Sequence, residues 1–229
     1  MAYLNIVKNI NPNSGLTNTK LIDDCFNSVN QTSWFMPDWI LGMDGMSGRK
    51  YRQLINMIVS RVENARYLEI GVWQGSTLCS AIWNNTVTAI ACDNWSQFEG
   101  PRDKFFKNLN SVKTDKNHVT VMEQDFRTIE YTDIGKFNIY MFDGPHEEQD
   151  QYDGVVVAMP ALDNEFVLIV DDWNHPNVKN GTQRAIADLG LIVDSIHIDT
   201  SINGSHPSPA YQYSDWHNGY FIASVKKPD

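Results

Sequence analysis

Acidic residues follow four of the apolar runs in this 229-residue chain, and with one glycine turn they are the part of the sequence most able to do chemistry. Asp93 follows the run at 87–92, Asp125 follows 118–124, Asp143 follows 136–142, and Asp171 with Asp172 follows 165–170. The turn is Glu69-Ile70-Gly71-Val72-Trp73-Gln74-Gly75-Ser76-Thr77, where a buried strand runs into a helix. Gly71 and Gly75 remove side chains where a ligand must approach the backbone. Ser76 or Thr77 can cap the helix that follows, whose free N–H groups favour a carboxylate or phosphate. The three closely spaced glycines of a dinucleotide fingerprint are absent, which disfavours a nicotinamide-dependent dehydrogenase. Glu69 at the strand end suits a ligand that carries positive charge.

In an open α/β sheet, ligands bind beyond the carboxyl ends of the strands, so these acids should share one edge. Asp93 lies 22 residues past Gly71, where a carboxylate can accept hydrogen bonds from both ribose hydroxyls, and Trp95 lies beside it. Asp143, Asp171 and Asp172 are expected to converge from adjacent strands. Three carboxylates that close cannot all stay ionised cheaply without a cation, and an oxygen-rich set suits Mg²⁺ better than Zn²⁺. His146 is the candidate general base, because an imidazole near its ordinary pKa can accept a hydroxyl proton at pH 7; His175 is second.

Seven strands are expected to position these residues, at 66–72, 87–92, 118–124, 136–142, 165–170, 193–199 and 219–226. Helices are expected at 76–84, 100–112, 148–161 and 178–189. Runs such as Phe137-Asn138-Ile139-Tyr140-Met141-Phe142 and Phe166-Val167-Leu168-Ile169-Val170 are apolar on both faces, as in a parallel sheet covered by helices on both sides. Only a polar linker joins the last two strands, so the seventh is expected to return antiparallel. Residues 1–65 read as an N-terminal helical cap over the ligand edge, with a short helix at 16–29 and an amphipathic helix capped by Ser47. Residues 66–229 read as the core, forming one domain with the cap. The stretch 199–218, with His206, Tyr211, Tyr213, Trp216 and His217, reads as a substrate lid.

Composition narrows the partners. A formal net charge of −10 opposes a nucleic-acid backbone and an anionic membrane surface, which leaves a small neutral or polar molecule as the expected substrate. The basic run Arg102, Lys104, Lys107, Lys113 and Lys116 alternates with Phe105, Phe106 and Leu109, as on an amphipathic helix with a solvated face. Three cysteines without framework spacing read as buried, reduced thiols, and no apolar run is long enough to span a bilayer. A cytoplasmic protein is expected, and a homo-oligomer is compatible with the sequence.

The E-x-G-x-x-x-G turn resembles motif I of the class I S-adenosylmethionine (SAM)-dependent methyltransferases. That resemblance implies a Rossmann-like sheet of order 3-2-1-4-5-7-6, with SAM held by Glu69, Gly71, Gly75, Ser76, Asp93, Trp95, Asp125 and Phe126. Asp125 falls where such enzymes hydrogen-bond the adenine amine, and Phe126 where an apolar side chain lies on the ring. Asp143 with the Asp171-Asp172 pair resembles a metal-dependent small-molecule (sugar) O-methyltransferase branch, over roughly residues 44–190. There the three acids bind the metal, so Mg²⁺ at Asp143, Asp171 and Asp172 is implied, with catalysis at His146 and Asp143. The D-G-D-H motif of that branch appears as Asp143-Gly144-Pro145-His146, with a proline replacing an acid. The implied reaction is methylation of a hydroxyl on a small, sugar-like acceptor with help from a divalent metal. The alternatives are an RNA or protein methyltransferase and a catalytically silent SAM-fold binding protein.

Overall fold

A computed structural model describes residues 4–31, 35–200 and 215–228. The chain forms β1 (Leu4–Asn9), α1 (Asn18–Gln31), α2 (Asp38–Leu41), α3 (Arg49–Arg61), β2 (Arg66–Ile70), α4 (Ser76–Ile82) and β3 (Val87–Cys92). It continues through α5 (Arg102–Val112), β4 (Asn117–Met122), β5 (Phe137–Phe142), α6 (Glu148–Ala158), β6 (Leu162–Val170), α7 (Pro176–Asp188), β7 (Ile192–Thr200) and β8 (Tyr220–Lys226). All eight strands form one sheet in the order β1-β7-β8-β6-β5-β2-β3-β4. Without β1 this is the expected 3-2-1-4-5-7-6 order. As expected, β8 runs antiparallel to both of its neighbours.

The two-sided apolar strands explain the layering. Successive side chains on a strand point to opposite faces. Ile139, Met141, Val167 and Ile169 therefore pack under α1, α3, α4 and α5, while Tyr140, Phe142, Leu168 and Val170 pack under α6 and α7. Their burial is complete, as a central parallel sheet requires.

The N-terminal segment differs from the expected helical cap. Residues 4–9 pair antiparallel with β7 and add an eighth strand to the sheet, and α1 and α3 cover one face of it. Leu4, Ile6 and Val7 do not alternate cleanly with polar residues, so the strand carried no clear period. Ser47 does not cap α3; the cap position is Gly48, and the Ser47 hydroxyl accepts from Arg52 Nε at 2.8 Å. Residues 201–214 of the expected lid lie outside the described residues. No described helix is long and apolar enough to cross a membrane.

Candidate functional site

The carboxyl ends of the parallel strands open into a cleft of about 590 Å³. It is lined by Gly71, Asp93, Asp125, Phe126, Asp143, His146 and Asp172, all singled out by the sequence, and also by Met46, Trp73, Phe98, His175, His217 and Asn218. Glu69, Gly75, Ser76, Trp95 and Asp171 were expected at the site and do not line it.

Glu69 shows why. Its carboxylate is fully buried beneath the glycine turn, accepting from Thr77 Oγ1 and, at 2.6 Å, from the Tyr67 hydroxyl. Burial pushes its pKa up to about 7, while the Thr77, Tyr67 and Leu78 N–H hydrogen bonds pull the other way. The start of α4 thus takes its negative partner from the protein's own strand, and neither Ser76 nor Thr77 caps the helix. The glycines answer to the protein as well. At Gly71, with φ +85°, an added Cβ would stand 1.9 Å from the Asp143 carbonyl oxygen, and at Gly75 it would press on Phe105.

One side of the cleft is built from the turns after β3 and β4. The Asp93 carboxylate accepts from the backbone N–H of Trp73 and of Trp95, each at 2.7 Å, which fixes it at the cleft wall with lone pairs left over. The Trp95 indole turns inward against Phe105 and Phe106 and donates to the Trp73 carbonyl, so it braces the turn from behind. Asp125 caps a short 3₁₀ turn by accepting from Arg127 N at 2.9 Å, and Phe126 packs edge-on against Phe142 with its centroid 5.2 Å away.

At the other end, His146 Nε2 lies 2.8 Å from Asp172 Oδ2, and Asn218 Nδ2 donates to Asp172 Oδ1 at 2.7 Å. His175 stands behind, its ring centroid 5.2 Å from that of His146. The Asp172 hydrogen bond raises the His146 pKa against the cost of burial. Burial works most strongly against ionised Asp172, but the hydrogen bond and charge of His146, the Asn218 hydrogen bond and His217 together outweigh it and hold the carboxyl below its usual range. Asp143, which lacks such a partner, is pushed well above the carboxylate range by burial and by the nearby Asp172.

The expected trio of acids does not gather. Asp171 is buried beneath the edge, and its Oδ1 accepts from Asp172 N at 2.6 Å. Asp172 takes a left-handed backbone, φ +56°, and so the two neighbours aim in different directions. The group that does converge is Asp143, His146 and Asp172, whose ligand atoms lie within 4.8 Å of one another. Two carboxylates and an imidazole with that spacing can hold a divalent cation, and the raised pKa of Asp143 marks a place where positive charge would be favoured.

His217 and Asn218, the end of the stretch expected to form a lid, line the cleft, although neither was assigned a role of its own. They precede an antiparallel strand, and β8 begins at the edge where the parallel strands end. The backbone pairing of Asn174 N with Asn218 O, 2.8 Å, brings them against the β6–α7 turn. Met46 comes from a loop before α3 that no motif marks.

Comparison with known proteins supports the same reading. Residues 68–173 match the family model described as a methyltransferase domain. No curated protein sequence matches the chain. The fold is similar to that of the O-methyltransferase TomG from Streptomyces achromogenes, involved in tomaymycin synthesis and solved with SAM: TM-score 0.54, 14% identity, covering 92% of this chain and 90% of that one. It is similar also to the methyltransferase PaMTH1 of Podospora anserina: TM-score 0.52, 13% identity, covering 96% and 89%. A Pyrococcus horikoshii protein provisionally described as an RNA methyltransferase is comparably near: TM-score 0.53, 10% identity, covering 91% and 98%. At these identities the likeness concerns the fold.

Proposed function

We propose that this chain, a SAM-dependent methyltransferase of the class I fold, methylates a hydroxyl oxygen of a small, polyhydroxylated acceptor. The observation that carries this is the lining of the cleft: six acidic side chains (Asp93, Asp125, Asp143, Glu147, Asp150 and Asp172), of which Asp143 is pushed towards its neutral form and Asp150 is paired with Arg127, and, among the described lining residues, no lysine or arginine. A cationic sulfonium and ammonium are favoured there, whereas a phosphate backbone is repelled. That favours a small neutral acceptor over RNA more directly than net charge does.

SAM, when bound, supplies an electrophilic methyl carbon and departs as S-adenosylhomocysteine. The chain's own residues do the rest. Asp93 would hold the ribose hydroxyls and Phe126 would lie on the adenine ring. Asp172, fixed by Asn218, orients His146, which takes the acceptor's hydroxyl proton as the oxygen bonds to the methyl carbon. Asp143, His146 and Asp172 are the residues that would hold a divalent cation. That cation would neutralise the carboxylates and acidify a bound hydroxyl, and His175 would then be the remaining base beside the acceptor. A cytoplasmic enzyme of small molecules, without nucleic-acid or membrane partners, agrees with this chemistry.

The test is transfer of labelled methyl from SAM to a panel of glycosides and other polyols, set beside RNA transcripts and proteins. Label in the polyols is the expected result. Faster methylation of RNA or protein would overturn the reading, as would failure of the protein to bind S-adenosylhomocysteine.

A further inference from the structure

Arg52 is fully buried, and its guanidinium is taken up by backbone oxygens of one short loop. Nη1 donates to the carbonyls of Leu41 at 3.0 Å and Met43 at 2.7 Å, Nη2 to Gly45 at 3.2 Å, and Nε to the Ser47 hydroxyl at 2.8 Å. A planar donor fork of this kind fixes several acceptors at once and is a rigid template for the loop around it. Burial costs the cation enough to lower its pKa to about 10, so it stays charged at neutral pH.

The loop so held reaches across the sheet edge. On one side Ser47 Oγ lies 3.1 Å from Ser76 Oγ, and Gly45 is packed so closely that a Cβ would fall 2.0 Å from Ser76 Oγ. On the other side Gly48 N donates to the Tyr220 hydroxyl at 2.9 Å, and Lys50 N and Tyr51 N donate to the Asp215 carbonyl. The loop therefore joins the glycine-turn side of the cleft to the segment carrying His217 and Asn218. Between those anchors, Met46 lines the cleft. The loop and Arg52 lie outside residues 68–173, the part matched by the family model.

We infer that residues 43–47 form a fixed wall of the cofactor cleft, with Met46 as a binding residue against the amino-acid chain of SAM and Arg52 as the positioning residue that holds the wall. The nucleoside walls, Asp93, Asp125 and Phe126, are at the ends of β3 and β4, whereas the loop is anchored at Ser76, after the β2 turn, and at Asp215, before β8, with neither anchor on the β3 or β4 turns. What reaches Met46 is thus the end of the cofactor away from adenine. A thioether there offers apolar, polarizable contact to the methylene chain, and its adaptable shape fits a flexible ligand.

This inference rests on the SAM reading, and calorimetry with two probes separates them. S-adenosylhomocysteine carries the amino-acid chain; 5′-methylthioadenosine keeps the nucleoside and sulfur but lacks it. Met46→Ala should weaken S-adenosylhomocysteine about tenfold and leave 5′-methylthioadenosine within about twofold. Arg52→Met, which loses the fork, should do the same in protein that retains its thermal transition. Unchanged affinity for both probes, or equal loss of both, in the Met46→Ala protein would overturn the inference while the SAM reading stands. If Arg52→Met does not fold, Met46→Ala alone decides. Wild-type protein that binds neither probe overturns the SAM reading and this inference with it.

Discussion

His146 and Asp172 form a hydrogen-bonded pair at one end of the cleft, with Nε2 2.8 Å from Oδ2, although they come from different strand ends. The turn after β5 supplies the imidazole, and the turn after β6 supplies the carboxylate. Parallel pairing of Phe142 with Val170 places those turns side by side.

The pair predicts a shift in the pH profile. Asp172 raises the His146 pKa, so neutral, proton-accepting imidazole forms only above the ordinary histidine range. Asp172→Asn should move the acidic limb of the kcat profile to lower pH, and His146→Ala should cut turnover by about 10²–10⁴-fold. Full turnover in His146→Ala would remove the imidazole from the mechanism.

Metal dependence is a separate outcome. Calorimetric titration of Mn²⁺ or Mg²⁺ into protein treated with EDTA should show one site, lost in Asp143→Asn and in Asp172→Asn and kept in Asp171→Asn. Loss in Asp171→Asn equal to that in the other two would restore the trio of acids read from the sequence. No binding of either ion, with activity surviving EDTA, would leave the His146–Asp172 pair to act without a metal.

Glu69 should write its own signature on stability. Its folded pKa, raised by burial to about 7 from 4.5, means the folded protein keeps a proton that the unfolded chain has released. Stability from this group is therefore full below about pH 4.5 and declines as pH rises through about 7, by on the order of 3 kcal/mol. Glu69→Gln should flatten that part of the Tm-versus-pH curve relative to wild type. Parallel curves would mean that Glu69 is ionised in the folded protein without cost.

Gly71 tests whether the turn serves the fold before any ligand. With φ +85° and the Asp143 carbonyl 1.9 Å from a Cβ, Gly71→Ala should lose about 2–4 kcal/mol in denaturant unfolding, with no ligand present. An unchanged midpoint would mean that the β2 and β5 ends separate readily.

The sheet was legible because its signals are local. Apolar runs such as Phe137–Phe142 and Phe166–Val170 state burial on both faces, and linker lengths give the helical crossovers, so the parallel direction follows from them, while the strand order was implied by the resemblance to class I methyltransferases. The strand-end acids Asp93, Asp125, Asp143 and Asp172 were legible for the same reason: a parallel sheet sends all its carboxyl ends to one edge. The direction in which a side chain points at that edge depends on backbone torsion and neighbours. Asp171 and Asp172 are identical in type and adjacent, yet the left-handed φ of Asp172 turns one to His146 and leaves the other buried. Glu69 looked like a ligand residue until Tyr67, Thr77 and Leu78 came within its reach. Met46 belongs to a segment far from any motif and is delivered by Arg52, and Asn218, at the end of the expected lid, meets Asp172 because an antiparallel return strand carries it there. Long-range packing decided those positions, and no spacing along the chain encodes it.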